Sequence, residues 1–366
     1  MKVFAPGSTI GILGGGQLGR MTALAAAKLG YRCHIFCPGK NEPAVGVAAA
    51  HTCAGFDDRA ALEAFAQSVD VATLEWENVP VEAPEIVGKH VPMYPGVEVL
   101  RMAQDREQEK TFARQAGVGT ADFAIVRSEA ELAEAMQRFS LPAILKSTRM
   151  GYDGKGQVKI TSGMDAAQAW REMGSQVGIL EAFIDFACEV SVIVAARADG
   201  ETLAYPAIEN VHRHHILDRT FAPARVDPSI ADEAVQAAQL MARKLGVVGL
   251  LAVEFFVLRQ PDGQGRRVLL NEIAPRPHNS GHWTMDACPT SQFEQLVRAV
   301  CGLPLGDVTP HSRAEMLNLI GEDANRWEEF LKMPQTSLHL YGKDDIRPGR
   351  KMGHVNFLKG AWNGKE

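Results

Sequence analysis

Apolar and polar positions alternate in blocks along the first hundred residues. Thr9–Leu13 is a short β-rich run that ends in three glycines, and Gln17–Leu29 follows with helical composition and stops at Gly30. Arg32–Cys37 predicts a second strand. Asp57 or Asp58 is placed to cap a helix reaching about Gln67, and Val71–Glu75 predicts a further strand. Strand–helix alternation of this kind implies a parallel sheet with helices on its faces.

The pattern then changes. Asp105–Ala116 predicts a charged linking helix ended by Gly117, and Glu129–Phe139 an amphipathic helix. Ala143–Lys146, Gln157–Ile160, Ile179–Glu181 and Glu189–Ala196 read as strands, with a glycine-rich loop over Ser147–Gln157 and a turn at Asp199-Gly200. Asp227 caps a long helix that runs to Leu245 before Gly246, with Pro228 where a missing N–H costs nothing. Leu251–Leu258 and Arg267–Ile273 predict a hairpin joined by Pro261–Gly265. Ser291 and Glu294 form a capping box for a helix reaching Cys301. About 60 residues of short strands and one short helix remain, with Gly360–Glu366 expected to be disordered.

Length and composition narrow the function. At 366 residues, two or three domains are expected. With 46% hydrophobic and 22% charged residues the chain is globular rather than low-complexity. A net charge of −6 disfavours sequence-independent nucleic-acid binding. No apolar run is long enough to span a membrane, and the N-terminus lacks the pattern of a signal peptide. Six scattered cysteines without a C-x-x-C pair suit reduced thiols in a cytoplasmic protein. Met102, Met241 and Met285 read as core.

Gly14–Gly19 matches G-x-G-x-x-G between a strand and a helix. A dinucleotide site would also want an acid at the end of the second strand, but that strand ends Phe36-Cys37-Pro38. A phosphate- or small-ligand-binding loop is the better reading, with a structural turn the alternative. Lys146 ends a strand, and five residues on comes Gly151-Tyr152-Asp153-Gly154-Lys155-Gly156-Gln157, a glycine loop able to close over polyphosphate. Glu254 and Glu272 lie on the two strands of the predicted hairpin. Paired there, their like charges would need a cation, for which Mg²⁺ (or Mn²⁺) completed by triphosphate oxygens is the natural choice. Arg347, Arg350 and Lys351 make a basic patch suited to a phosphate monoester. Glu75, at the end of a parallel strand, is a candidate substrate contact. His212, His214 and His215 resemble a metal tract, but strand neighbours point to opposite faces.

This constellation resembles the ATP-grasp superfamily, and within it the N5-carboxyaminoimidazole ribonucleotide synthetases. The resemblance runs from about Ile10 to Phe357. It is carried by GGGQLGRM (14–21), GYDGKGQ (151–157), NEIAPRPHNSGHWT (271–284) and RPGRKMGHVN (347–356). It implies a mixed α/β and α+β architecture. An N-terminal Rossmann-like domain (1–104) would precede an ATP-grasp domain (105–302, lid about 118–188) and a small C-terminal domain (303–366). The implied activity is carboxylation of 5-aminoimidazole ribonucleotide with ATP and bicarbonate through carboxyphosphate, in a homodimer. Arg106, Lys146 and Gly151–Gln157 would then meet ATP phosphates. Glu181, Ala182, Phe183 and Ile184 would hold adenine, Glu189 the ribose hydroxyls, and His212 would lie at the nucleotide. Asn271 would help Glu254 and Glu272 organise the metal. Gly16, Gln17 and Leu18 would approach the ribonucleotide, whose phosphate would meet Lys343, Arg350 and Lys351. Tyr152, Asp153, Arg276, His278 and Asn279 would border the bicarbonate and amine end, with Asp153 or released phosphate as base. Met150 stands where the family leads us to expect glycine. Rival readings are a formate-dependent glycinamide ribonucleotide transformylase, a nicotinamide-dependent oxidoreductase resting on Gly14–Gly19 alone, and a non-catalytic nucleotide sensor.

Overall fold

The computed structural model describes residues 2–149, 151 and 156–362. Strands β1 (Thr9–Leu13), β2 (Arg32–Cys37), β3 (Ala50–Cys53) and β4 (Val71–Leu74) form a parallel sheet in the order β3-β2-β1-β4. Helices α1 (Gln17–Lys28), α2 (Arg59–Gln67), α3 (Glu82–Gly88) and α4 (Val97–Ala103) accompany it. Leu13, Phe36, Leu62, Phe65 and Leu74 fill one core beside the sheet. Asp58 is the cap of α2, its carboxylate accepting the Ala61 N–H at 3.0 Å.

Helix α5 (Arg106–Ala116) leads out of this unit, capped by Asp105 and closed by Gly117 at φ +90°. A small antiparallel sheet comes next: β5 (Phe123–Val126), β6 (Ala143–Ser147), β7 (Gln157–Ile160) and β8 (Gly178–Ala182), ordered β5-β8-β6-β7. Helices α6 (Glu129–Arg138) and α7 (Ala166–Met173) cover one face of it through Leu132, Ala135, Ala169 and Met173.

The third sheet has nine strands. They are β9 (Phe186–Ala196), β10 (Thr202–Ala204), β11 (Ile208–Arg213), β12 (Ile216–Ala222), β13 (Gly249–Leu258), β14 (Val268–Ala274), β15 (Ser312–Ile320), β16 (Thr336–Leu340) and β17 (Lys351–Ala361). The main path runs β14-β13-β9-β11-β12-β15-β17-β16. Helix α8 (Pro228–Leu245) packs Ile230, Ala234, Ala238 and Met241 against β9 and β13. The short α9 (Thr284–Ala287), α10 (Gln292–Val300) and α11 (Trp327–Leu331) complete the helices. One apolar cluster joins Ile10 and Ile12 of β1 to Ile193 of β9, Trp283, and Val297 of α10, so the N-terminal and central sheets share a core.

Two expectations change. The strands of the last 60 residues are not all short. β15 and β17 have nine and eleven residues and extend the central sheet from β12. Gly360 and Ala361 belong to β17, Ala361 is in register with Ser312, and the Trp362 ring lies parallel to Trp283 at 6.4 Å. The expected disordered tail is therefore corrected for 360–362, because backbone pairing and aromatic burial hold it; residues 363–366 lie outside the described residues.

Candidate active site

The glycine loop leaves β1 with Gly14 at φ +110°, a conformation that only glycine adopts without strain. Glu75, just past β4, accepts the Gly16 N–H at 2.7 Å and the Gly19 N–H at 3.0 Å. Two amides that the sequence offered to a phosphate are thus taken by a carboxylate, which corrects the reading of the loop as a phosphate cradle. A Cβ at Gly16 would sit 2.7 Å from Glu75 Oε1, so this close approach requires glycine. Burial raises the Glu75 pKa. The Leu18 side chain is buried with Met21, Phe293 and Tyr341.

Between the small sheet and the central sheet lies a cleft of about 830 Å³. Lys146 on β6, Ala182, Phe183, Ile184, Glu189, His212, Asn271, Glu272 and Glu254 all line it, as do Gly151, Gly156 and Gln157 at the ends of the glycine loop. Glu181 lines the cleft beside them. Its side chain is buried and bonds Lys146 Nζ at 2.5 Å and Lys110 Nζ at 3.3 Å. Burial alone would raise its pKa, but the two ammonium groups outweigh that and hold it near 2. Burial lowers the Lys146 pKa, against the pull of Glu181. Glu189 is paired with His212, Oε2 to Nδ1 at 2.6 Å. That bond raises the His212 pKa over the opposing effect of burial. His214 and His215 sit at the β11–β12 turn with φ +50° and +64°, so the three histidines do not share one strand face.

Glu254 and Glu272 are register partners across the β13–β14 pair, so their side chains leave the same face. A register shift follows directly between Glu254 and Phe255. Burial first, then the charge of Glu272, pushes the Glu254 pKa well above the carboxylate range. Arg106 reaches Glu272 at 3.3 Å, and His278 Nε2 lies 3.4 Å from Glu254 Oε1. Burial, then Arg276 and Lys351, pushes the His278 pKa well below the usual imidazole value. Arg276 is gripped by Glu77, with Nη2 to Oε1 at 2.6 Å. Asn279 exchanges two amide hydrogen bonds with Asn318 of β15, at 2.9 and 2.7 Å.

The basic patch is rearranged relative to expectation. Arg347 is exposed and paired with Asp345, and Arg350 Nη1 donates to the Asp345 carbonyl at 2.9 Å. Lys343 and Lys351 face inward: Lys343 Nζ donates to the Lys351 carbonyl at 2.7 Å, and Lys351 lines the same cleft as Glu254. Burial, then Arg350, lowers the Lys343 pKa to about 8.

Met150, Tyr152, Asp153, Gly154 and Lys155 lie outside the described residues. Lys110, Glu109 and Glu77 were missed by the sequence reading. Lys110 is fully buried and donates to the Leu270 and Asn271 carbonyls as well as meeting Glu181. Burial raises the Glu109 pKa to about 7. Arg106, Glu109 and Lys110 fall three and four residues apart, on one face of α5. That spacing is the available signal, although a helix so rich in charge equally fits a linker.

A lid-like sheet over a lysine-and-carboxylate cleft, following a parallel N-terminal sheet, defines the ATP-grasp class. The ATP-grasp domain model matches residues 111–293, and the ribonucleotide synthetase preATP-grasp domain model matches 7–104. The phosphoribosylaminoimidazole carboxylase C-terminal domain model matches 314–363. The chain is 42% identical to the N5-carboxyaminoimidazole ribonucleotide synthase of Bacillus subtilis, over 98% of this chain and 93% of that protein. It is 47% identical to the bifunctional purine synthesis protein purC/E of Dictyostelium discoideum, over 96% of this chain but only 37% of that longer protein. A crystal structure of an N5-carboxyaminoimidazole ribonucleotide synthetase in complex with ADP superposes with a TM-score of 0.93 at 41% identity, covering 98% and 94% of the two chains. The Aspergillus clavatus N5-carboxyaminoimidazole synthase, in complex with ADP and 5-aminoimidazole ribonucleotide, superposes at 0.90 with 32% identity, covering 97% and 95%. The chain belongs to the N5-carboxyaminoimidazole ribonucleotide synthase family.

Proposed function

We propose that this chain is the ATP-dependent carbon–nitrogen ligase of purine biosynthesis that converts 5-aminoimidazole ribonucleotide to its N5-carboxy derivative, releasing ADP and phosphate. The observation that carries this reading is one cleft lined by Lys146, the register-matched Glu254 and Glu272, His278 and Lys351. A phosphoryl donor and a phosphorylated acceptor can therefore meet in it.

Bicarbonate is the proposed co-substrate. Lys146 and Arg106 bind the triphosphate and neutralise charge on the phosphoryl oxygens while bicarbonate attacks the γ-phosphorus and ADP leaves. Glu181 orients Lys146, and Lys110 holds Glu181. The product, carboxyphosphate, is labile in water, so the cleft must exclude water until CO₂ reaches the amine. Arg276 and His278 orient the bicarbonate-derived group, Asn279 supports that wall, and Asp153 or the released phosphate takes the amine proton. Glu189 and His212 receive the ribose, while Gly151–Gln157 close over the phosphates. Gly16, Gln17, Glu75, Lys343, Arg350 and Lys351 hold the ribonucleotide.

Two facing carboxylates, with Asn271 lining the same cleft, offer hard oxygen donors, and Glu254's difficulty in ionising alone fits a site completed by Mg²⁺ or Mn²⁺. Such an ion would screen the phosphate oxygens. Glu254, Glu272 and Asn271 would hold it. In this reading 105–302 binds ATP, while 1–104 and 303–366 both contribute to the ribonucleotide site, in a cytoplasmic homodimer. Among the described residues, no helix is long and apolar enough to cross a membrane.

The test is ADP release measured with and without bicarbonate and ribonucleotide. Release should need bicarbonate and rise with 5-aminoimidazole ribonucleotide. Equal release with formate and glycinamide ribonucleotide would favour the transformylase reading instead.

A further inference from the structure

A row of polar side chains with no access to solvent crosses the central sheet and ends on His278. Thr220 Oγ1 lies 3.0 Å from Asn210 Oδ1, Asn210 Nδ2 lies 2.8 Å from Ser191 Oγ, Ser191 Oγ lies 2.8 Å from Ser280 Oγ, and Ser280 Oγ lies 2.8 Å from His278 Nδ1. Thr220, Ser191 and Ser280 are wholly buried and Asn210 nearly so. Each hydroxyl has one proton to give, so the polarity of the row is decided at one end.

A backbone amide biases it: Ser280 N–H points at His278 Nδ1, 3.4 Å away, a long contact whose dipole cannot reverse. Nδ1 then presents its lone pair chiefly to the Ser280 hydroxyl, 2.8 Å away, and the row behind that hydroxyl holds it there. The Ser280 hydroxyl then donates to Nδ1, accepts from Ser191, and Ser191 accepts from the Asn210 amide, whose oxygen receives Thr220. The reverse polarity would set two donors against each other at Nδ1. Buried mismatches of this kind are costly. The backbone that carries the ring is held as well: Gln292 Oε1 accepts the His278 backbone N–H at 3.0 Å, and Gln292 Nε2 donates to the His278 carbonyl at 2.8 Å.

We propose that this row locks His278 as the tautomer protonated on Nε2, so that a neutral imidazole presents a fixed N–H to the reacting anion. Ser280, Ser191 and Asn210 are positioning residues for the carboxylation. The inference rests on the function proposed above, which puts bicarbonate at His278, but its primary readout does not.

The experiment is nitrogen-15 NMR of the full-length protein labelled at histidine, with the His278 signals assigned by their loss in His278→Gln. Two-bond proton–nitrogen couplings report which ring nitrogen carries the proton. The unsubstituted protein should show Nε2–H alone. Ser191→Ala, which touches neither ring nor substrate, should give a mixed tautomer and lower kcat about tenfold, with KM for ATP little changed. Ser280→Ala should do the same more strongly. Nδ1–H in the unsubstituted protein, or a tautomer unmoved in both variants, overturns the proposal. A tautomer that shifts in an enzyme indifferent to bicarbonate keeps the lock and instead refutes the function on which its purpose rests.

Discussion

A single charge in this molecule has meaning only through its neighbours. Lys343 illustrates this: burial and Arg350 lower its pKa to about 8, so it is mainly an ammonium at neutral pH and mainly a neutral amine one unit above 8. A phosphate dianion favours the charged form, so binding must draw a proton from solvent as the pH passes 8. KM for the ribonucleotide should therefore rise between pH 7 and pH 9, while KM for ATP changes less. Lys343→Met should raise KM at neutral pH and flatten that rise. Steady-state kinetics across the range would test this, and an equally steep profile in the variant would remove Lys343 from the phosphate site. At this scale much was legible from sequence. Lys146, Glu254 and Glu272 stand in one cleft as the spacing implied, whereas the lysine partners of Glu181 and the buried packing of Leu18 lie outside any local pattern.

Helix α5 couples the small sheet to β14. Asp105 caps it, accepting the Glu107 and Gln108 N–H groups at 3.0 and 3.4 Å, and also holds Arg149 at 2.9 Å. The next turns carry Arg106 to Glu272 and Lys110 to Glu181 and the Asn271 carbonyl. Asp105→Ala should cost about 1 kcal/mol of stability in urea unfolding, the usual loss for a side-chain cap. It should also raise KM for ATP, because Arg106 loses its fixed start. Unchanged ATP kinetics together with unchanged stability would mean that the cap is irrelevant to the cleft. The elements were the most legible part of the chain: α5, α8 and the β13–β14 hairpin begin and end within a residue or two of their caps, glycines and turn residues. The inward role of α5 was not legible. A helix rich in charge looks like a solvent-facing linker unless its partners are known.

In the whole molecule, the central sheet runs unbroken from the proposed metal strands to the C-terminal strands. β12 pairs with β15, and Asn318 on β15 pairs with Asn279 beside His278. Removing residues from 312 onward would strip β12 of a neighbour and open the core at Trp283. Such a truncated chain should lose ATP binding and solubility together, measured by nucleotide titration and sedimentation. A soluble fragment with unaltered ATP affinity would show that the last strands are an independent appendage.

Local chemistry determined what the sequence alone could tell. Caps, glycine stops and alternating strands act over a few residues, and rare motif strings announce a cleft that handles phosphate. Only the tertiary structure decided that Glu75 occupies the amides of the glycine loop, that Lys110 and Glu181 stand behind Lys146, and that buried hydroxyls from three separate segments end on one imidazole. Those contacts join residues far apart in the chain. Their energies depend on burial, which no local window contains.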